Sequence, residues 1–349
     1  MAKVVSTSPP SDSTATTSTG TVTATVPARA AIAGNPSDGH GGAVVATVVS
    51  SVAATVTASP SDRFEIAGFD HGDVSIDEVV RRVDADGCGD VQPLVPAALT
   101  TLHRRLGADI APLHIDVTTT IPRSVGLAGS SAIVIATMRA AAQLHGSAPW
   151  ATTIENPSLL ASLALAAERD VLGITAGLQD RVVQSFGGTV SMEFGAEAMR
   201  PLDHPHLLER PGAVLRVGSY RRLGPLPEGM FVAFRPDTAG DSGAVHAAVD
   251  PADADVRRTM RRAADAARAA TVAITAGDTA ALGSAMNATF DERAAVMELD
   301  PRHVEMVEMA RATRAAANYT GSGGAVVVLA PDGRARTALE ELGCRILAL

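Results

Sequence analysis

The residues able to do chemistry in this sequence fall in a few short runs. The run 122–132, Pro-Arg-Ser-Val-Gly-Leu-Ala-Gly-Ser-Ser-Ala, sets Gly126 and Gly129 ahead of Ser130 and Ser131. Glycine reaches backbone angles closed to other residues and lets a ligand approach the main chain. A serine pair suits a helix start, where free N–H groups and the positive end of the dipole attract an anion. The same run also fits an ordinary strand-to-helix turn with a serine cap, and taken alone it does not decide between the two. Arg29, Asp38 and His40 bring more polar chemistry to the turn 34–42 than a hairpin needs, although its Gly, Pro, Asn and Asp are common turn formers. Read singly, Glu168 and Asp180 are a solvated helix charge and a capping carboxylate. A second Gly-rich run, 320–324, is equally a functional loop or a helix-to-strand turn.

One absence narrows the chemistry. Lys3 is the only lysine in the sequence. A Walker-type phosphate loop needs a lysine at the terminal phosphates, and protein kinases need one on a strand. Schiff-base chemistry falls for the same reason. If the 122–132 loop holds a nucleotide, it does so with backbone amides, hydroxyls, a metal and arginine.

The elements that must position these residues are legible in outline. Run 114–121 alternates like a strand and leads into the Gly-Ser loop, after which 133–140 reads as a buried helix. A strand is expected from 21–26 onward, and 43–56 reads as a strand or strand pair. Helices are expected at 93–107, 158–170, 254–276 and 301–317. Strands are expected at 229–235 and 325–329, with a last helix end and short strand in 339–349. The stretch 201–227 is broken by prolines and reads as a linker. With 349 residues, two domains are the prior, and a 46 % apolar content supplies their cores, mostly from Ala and Val because aromatics are scarce. A net charge of −9 with no basic block argues against nucleic acid or an anionic membrane as partner. Cys88 and Cys344 follow no metal or redox spacing, which fits a cytoplasmic compartment. The Ser/Thr/Pro-rich start reads as a disordered tail and not a signal peptide.

Together, three of these runs resemble the GHMP kinases, the family of galactokinase, homoserine kinase, mevalonate kinase and phosphomevalonate kinase. Run 122–132 resembles their phosphate loop, 29–38 their first motif and 320–324 their third. The forms Gly34-Asn35-Pro36-Ser37-Asp38 and Ala176-Gly177-Leu178-Gln179-Asp180-Arg181 are most similar to the glucuronokinase subfamily. The resemblance implies an α/β (α+β) fold in two domains. The first, 21–210 after a tail 1–20, carries a left-handed βαβ unit; the second, 211–349, is ferredoxin-like. It further implies that Gly126, Leu127, Ala128, Gly129, Ser130, Ser131 and Ala132 bind the phosphates of ATP. Ser131 and Glu168 would hold Mg²⁺, with the inserted Gly129 leaving Ser130 as the alternative. Asp180 would take the hydroxyl proton, with Arg29 steadying it. Asn35, Ser37, Asp38, Thr320, Gly321, Ser322 and Gly323 would line the substrate.

The expected activity is ATP-dependent phosphorylation of a sugar or sugar acid, foremost glucuronate at its anomeric carbon, by a monomer or homodimer. The alternatives are another small alcohol, such as a heptose phosphate or an isoprenoid alcohol, and a catalytically silent sugar- or nucleotide-binding module. Arg123, Arg181 and Arg235 are the candidates for a substrate carboxylate.

Overall fold

The computed structural model describes residues 20–66, 69–70, 75–86, 94–208, 214–238 and 253–349. The expected tail, apart from Gly20, and Cys88 lie outside the described residues.

The first sheet is built on two long strands, β1 (Val22–Ala33) and β2 (Ala43–Pro60), paired antiparallel. The run 43–56 is therefore one strand, extended to 18 residues. Pro27 has no N–H to give to a ladder, and the β1–β2 register shifts just after it, so that Ala28 opposes Val49. Arg29 follows directly. The turn between the strands holds a short 3-10 segment, Ser37–His40.

After β2 come β3 (Glu65–Ile66), β4 (Phe69–Asp70), α1 (Ile76–Asp86), α2 (Leu94–Leu106) and β5 (Leu113–Thr119). β5 pairs with the later half of β2 and runs parallel to β3. Then follow α3 (Gly129–His145), α4 (Pro149–Thr153), α5 (Pro157–Ala166), α6 (Leu178–Phe186) and β6 (Thr189–Glu193). β6 pairs with the early half of β2. The region read as a linker contains β7 (Arg200–Pro201), β8 (Arg216–Val217) and β9 (Ser219–Arg222). β9 is bonded to β6, so the first sheet runs past the boundary expected at 210.

The second sheet begins with β10 (Met230–Phe234). There follow α7 (Ala254–Ala276), α8 (Thr279–Val296), α9 (Pro301–Ala312), β11 (Ala316–Tyr319), β12 (Ala325–Leu329), α10 (Arg334–Glu341) and β13 (Arg345–Ala348). Its spatial order, β11-β12-β10-β13, is antiparallel throughout. That is the strand order of a ferredoxin-like sheet. The helix expected over 301–317 stops at Ala312, and Ala316–Tyr319 turns into an edge strand. α8 was not foreseen.

Alanine does much of the packing. Ala264, Ala267, Ala270 and Ala273 of α7 meet Ile32, Ala33, Ala43 and Val45 of β1 and β2, while Val327 and Leu329 of β12 join the same cluster. The small side chains let α7 lie close on the first sheet and tie it to the second. The opposite face of β12, Val326 and Val328, packs under α9 and α10. A strand covered on both faces accounts for the unbroken apolar run 325–329.

Candidate active site

Arg29 is the junction of the site. Its strand position is buried, with 4 % of the residue exposed. Its Nε donates to Asp180 Oδ1 at 2.6 Å, and its Nη1 donates to the carbonyl of Gly126 at 3.1 Å and to that of Thr320. One guanidinium thus joins four stretches far apart in sequence. The backbone repeats the connection: Arg29 N–H donates to Leu127 O at 3.2 Å and Ala31 N–H to Thr320 O at 2.9 Å.

The two Gly-rich loops lie backbone against backbone. Gly126 has φ +72°, and a Cβ there would stand 2.7 Å from the Gly323 carbonyl oxygen. Gly324 has φ +88°, and a Cβ there would stand 2.7 Å from Val125 Cα. Both conditions admit glycine alone. The Thr320 hydroxyl donates to Gly126 O at 3.1 Å and closes the contact.

Helix α3 starts from Ala128, which sits in the left-handed region at φ 59°, and no side chain caps it. The expected serine cap is thus absent. Ser131 is fully buried and donates to Gln184 Oε1 at 2.6 Å, while Ser130 donates to Glu168 Oε1 at 2.7 Å. The N–H groups of Gly129, Ser130 and Ser131 meet no acceptor among the described residues, so the helix start presents free donors. Gln184 Nε2 holds this corner down by donating to Ala128 O at 2.9 Å and to Pro27 O at 3.0 Å.

Glu168 stands on a π turn, Ala167–Val171, that widens the end of α5. Such turns re-aim side chains and recur at functional sites. The carboxylate is wholly buried, and Arg181 grips its Oε2 through Nε at 2.6 Å and through Nη2. That leaves Oε1 beside the Ser130 hydroxyl, a pair of hard oxygens side by side. Among the described residues no three His, Cys, Asp or Glu gather as a metal cluster. Two hard oxygens side by side fit Mg²⁺, which keeps waters and phosphate oxygens in its shell; the hydroxyl beside Glu168 is that of Ser130, while Ser131, expected there, is turned to Gln184.

In the first turn, Asn35 and Ser37, expected to meet substrate, make hydrogen bonds within the protein. Asn35 Nδ2 donates to Tyr319 O at 3.1 Å, and its Oδ1 accepts from Asn318 Nδ2 at 3.1 Å. Ser37 Oγ donates to Ala43 O at 2.8 Å. Asp38 points elsewhere: a Cβ on Gly177 would stand 2.6 Å from its Oδ2, so a glycine is needed at the start of α6. Burial and the neighbouring Asp180 push the Asp38 carboxyl up to about 6, against the opposing pull of Arg29. Beyond the turn, His40, Gly41 and Gly42 form one wall of a pocket whose other wall is the α7 face bearing Arg257, Arg261 and Arg268.

Of the expected carboxylate-binding arginines, Arg181 is committed to Glu168, and Arg235 is paired with Asp237 and Glu305 in the second domain. Arg123 is exposed at the phosphate loop. Sequence reasoning missed Gln184 and Arg181 as braces of the loop and of Glu168. The trace of Gln184 is its i+4 spacing from Asp180, which puts the two on one helix face. It also missed Arg293 of α8, buried behind the second loop, because the helix itself went unread.

A free-donor helix start, a carboxylate held by a strand arginine and a serine–glutamate oxygen pair define a phosphoryl-transfer cleft. The chain belongs to the GHMP kinase family: residues 93–188 match the GHMP kinases N terminal domain and 263–347 the GHMP kinases C terminal domain. It is a small-molecule kinase. It is 31 % identical over 334 residues to Glucuronokinase 1 of Arabidopsis thaliana, covering 91 % of this chain and 87 % of that one. It is 32 % identical over 335 residues to Probable glucuronokinase 2 of the same plant, with the same coverage. In fold it is similar to Streptococcus pneumoniae phosphomevalonate kinase in complex with phosphomevalonate and AMPPNP (TM-score 0.72, 14 % identity, 93 % of this chain and 98 % of that one). It is likewise similar to Lactococcus lactis galactokinase complexed with galactose (TM-score 0.68, 16 % identity, 94 % and 93 %).

Proposed function

We propose that the protein transfers the terminal phosphoryl group of Mg-ATP to the anomeric hydroxyl of glucuronate. The observation that carries this reading is the Arg29–Asp180 pair at 2.6 Å, set where both Gly-rich loops meet, in a chain about a third identical to plant glucuronokinases. A binding module without turnover has no need of a carboxylate fixed at that point.

The nucleotide's phosphates lie on the free N–H groups of Gly129, Ser130 and Ser131. Ser130 and Glu168 would hold Mg²⁺, which would neutralise phosphate charge when bound. Arg181 keeps Glu168 aimed at that point. Asp180 accepts the proton of the attacking hydroxyl at its carboxylate, and Arg29 fixes the carboxylate's orientation. Asp38 accepts hydrogen bonds from ring hydroxyls. Phosphoryl transfer asks mainly for positioning and charge neutralisation, and these groups supply both.

The sugar acid's carboxylate meets the arginine face of α7. Arg261 borders the pocket beside His40, and no described residue pairs with it. Arg268, on the same face, is committed to Glu193 and Asp265. Turnover followed by ADP release against glucuronate, galacturonate, glucose and galactose tests the reading. Glucuronate should lead by a large ratio of kcat/KM, because a site built for an anion is left unpaired by a neutral sugar. Arg261→Ala should raise KM for glucuronate and leave that for ATP unchanged. Equal use of glucose or galactose would remove the assignment.

A further inference from the structure

Arg293 is a buried charge beside the site that the chemistry above leaves without a task. It lies on α8 with 1 % of its surface exposed. Its Nη1 donates to Gly321 O at 2.6 Å and its Nη2 to Ser322 O at 3.0 Å, and its guanidinium lies 4.9 Å from the ring centre of Tyr319. No carboxylate among the described residues pairs with it. Burial without a counter-charge pushes its own value down to about 10. Leaving a guanidinium unpaired in the interior is costly. An apolar side chain would fill the space behind the loop more cheaply, so the charge needs a reason.

The direction of the peptides supplies one. In a trans peptide the C=O and the next N–H point opposite ways. With the carbonyls of Gly321 and Ser322 drawn back onto Arg293, the N–H groups of Ser322 and Gly323 point away from it. Both nitrogens lie toward Gly126 of the phosphate loop, 3.3 and 3.4 Å from where a Cβ on that residue would be. Neither N–H has an acceptor among the described residues. Successive peptides aligned by a cation behind them form an anion-binding concavity.

We infer that Arg293 is a positioning residue that turns the loop 320–324 into a second anion face, directed at the transferred phosphoryl group across from the start of α3. The loop borders Arg29, whose Nη1 would stand 3.0 Å from a Cβ on Gly321, so this face serves the terminal phosphate and not the nucleoside end. The bound phosphoryl then supplies the counter-charge that Arg293 lacks. The inference rests on the cleft being the nucleotide site, and it is independent of which sugar is the acceptor.

The test is the affinity of Arg293→Met and Arg293→Lys for Mg-AMPPNP and Mg-ADP by calorimetry, without sugar, alongside melting temperature. Arg293→Met should weaken AMPPNP by about tenfold or more while ADP stays within about twofold. Arg293→Lys keeps a charge but cannot span two carbonyls, and should recover part of the AMPPNP affinity. If Arg293→Met does not fold, the lysine variant decides: a loss confined to AMPPNP supports the inference. Equal loss of AMPPNP and ADP, or unchanged affinity for both, overturns it, as does an effect seen only in KM for the sugar. Failure of wild type to phosphorylate glucuronate would overturn the substrate reading and leave this comparison intact.

Discussion

Asp180 and Asp38 are neighbouring carboxylates. Asp180 is fixed by Arg29, and if it takes the proton as proposed, Asp180→Asn should lower turnover by roughly 10²–10⁴-fold with Mg-AMPPNP affinity nearly unchanged. Near-normal kcat in that variant would remove Asp180 from the chemistry. Asp38 titrates near 6 in the folded protein against an ordinary 3.8. Between about pH 4 and pH 6 the folded chain therefore holds a proton that the unfolded chain has released, so this contribution to stability is lost as pH rises through 6. Asp38→Asn should then melt higher than wild type at pH 7.5, by up to about 3 kcal/mol, and the two should converge near pH 4. A variant that melts lower at pH 7.5 would contradict that setting. Asn35 and Ser37 have the polarity of sugar ligands, and both make hydrogen bonds within the protein, to backbone carbonyls and, for Asn35, also with the Asn318 side chain. The two serines have different partners, Glu168 for Ser130 and Gln184 for Ser131. Ser130→Ala should raise the Mg²⁺ needed for half-maximal activity several-fold, whereas Ser131→Ala should leave that titration alone and cost about 1 kcal/mol of stability through Gln184. The reverse pattern would return the metal to Ser131.

At the scale of elements, the two Gly-rich loops act as one unit because glycine lets their backbones touch. Gly324→Ala and Gly187→Ala share a positive φ, at +88° and +73°, but only the former Cβ collides with another loop. Both should lose about 1–2 kcal/mol of stability from backbone strain. Gly324→Ala alone should also weaken Mg-AMPPNP binding by tenfold or more; equal nucleotide affinity in the two variants would deny that the loops work together. These loops were legible in the sequence because their glycines and serines are unusual in combination. α7 was legible end to end because its Ala/Arg pattern has a helical period and Asp253 caps it. α8 was not, since small and polar residues are spread around it and give no apolar stripe. Ala316 and Ala317, the first half of β11, read as the end of a helix because alanine favours helices, and sheet pairing with β12 overrode that preference.

In the whole molecule, the two domains are not beads on a linker. The cluster joining α7 and α8 to β1, β2 and β12 crosses between them, and β9 carries the first sheet beyond the boundary that prolines suggested. Chain segments this distant meet only through tertiary packing, which no local pattern encodes; this is why Arg29 could be singled out from sequence but the three partners of its guanidinium could not be brought to one point. No described helix is long and apolar enough to cross a membrane. With a net charge of −9, positive charge has to be concentrated, and the structure does so in the cleft and along α7. The most direct test of the central claim is the fate of the sugar's reducing end. Incubated with Mg-ATP and glucuronate, the enzyme should release ADP in step with the loss of reducing sugar, because a phosphate on the anomeric oxygen locks the ring. ADP release that leaves the reducing end intact would place the phosphate on another hydroxyl and contradict the account.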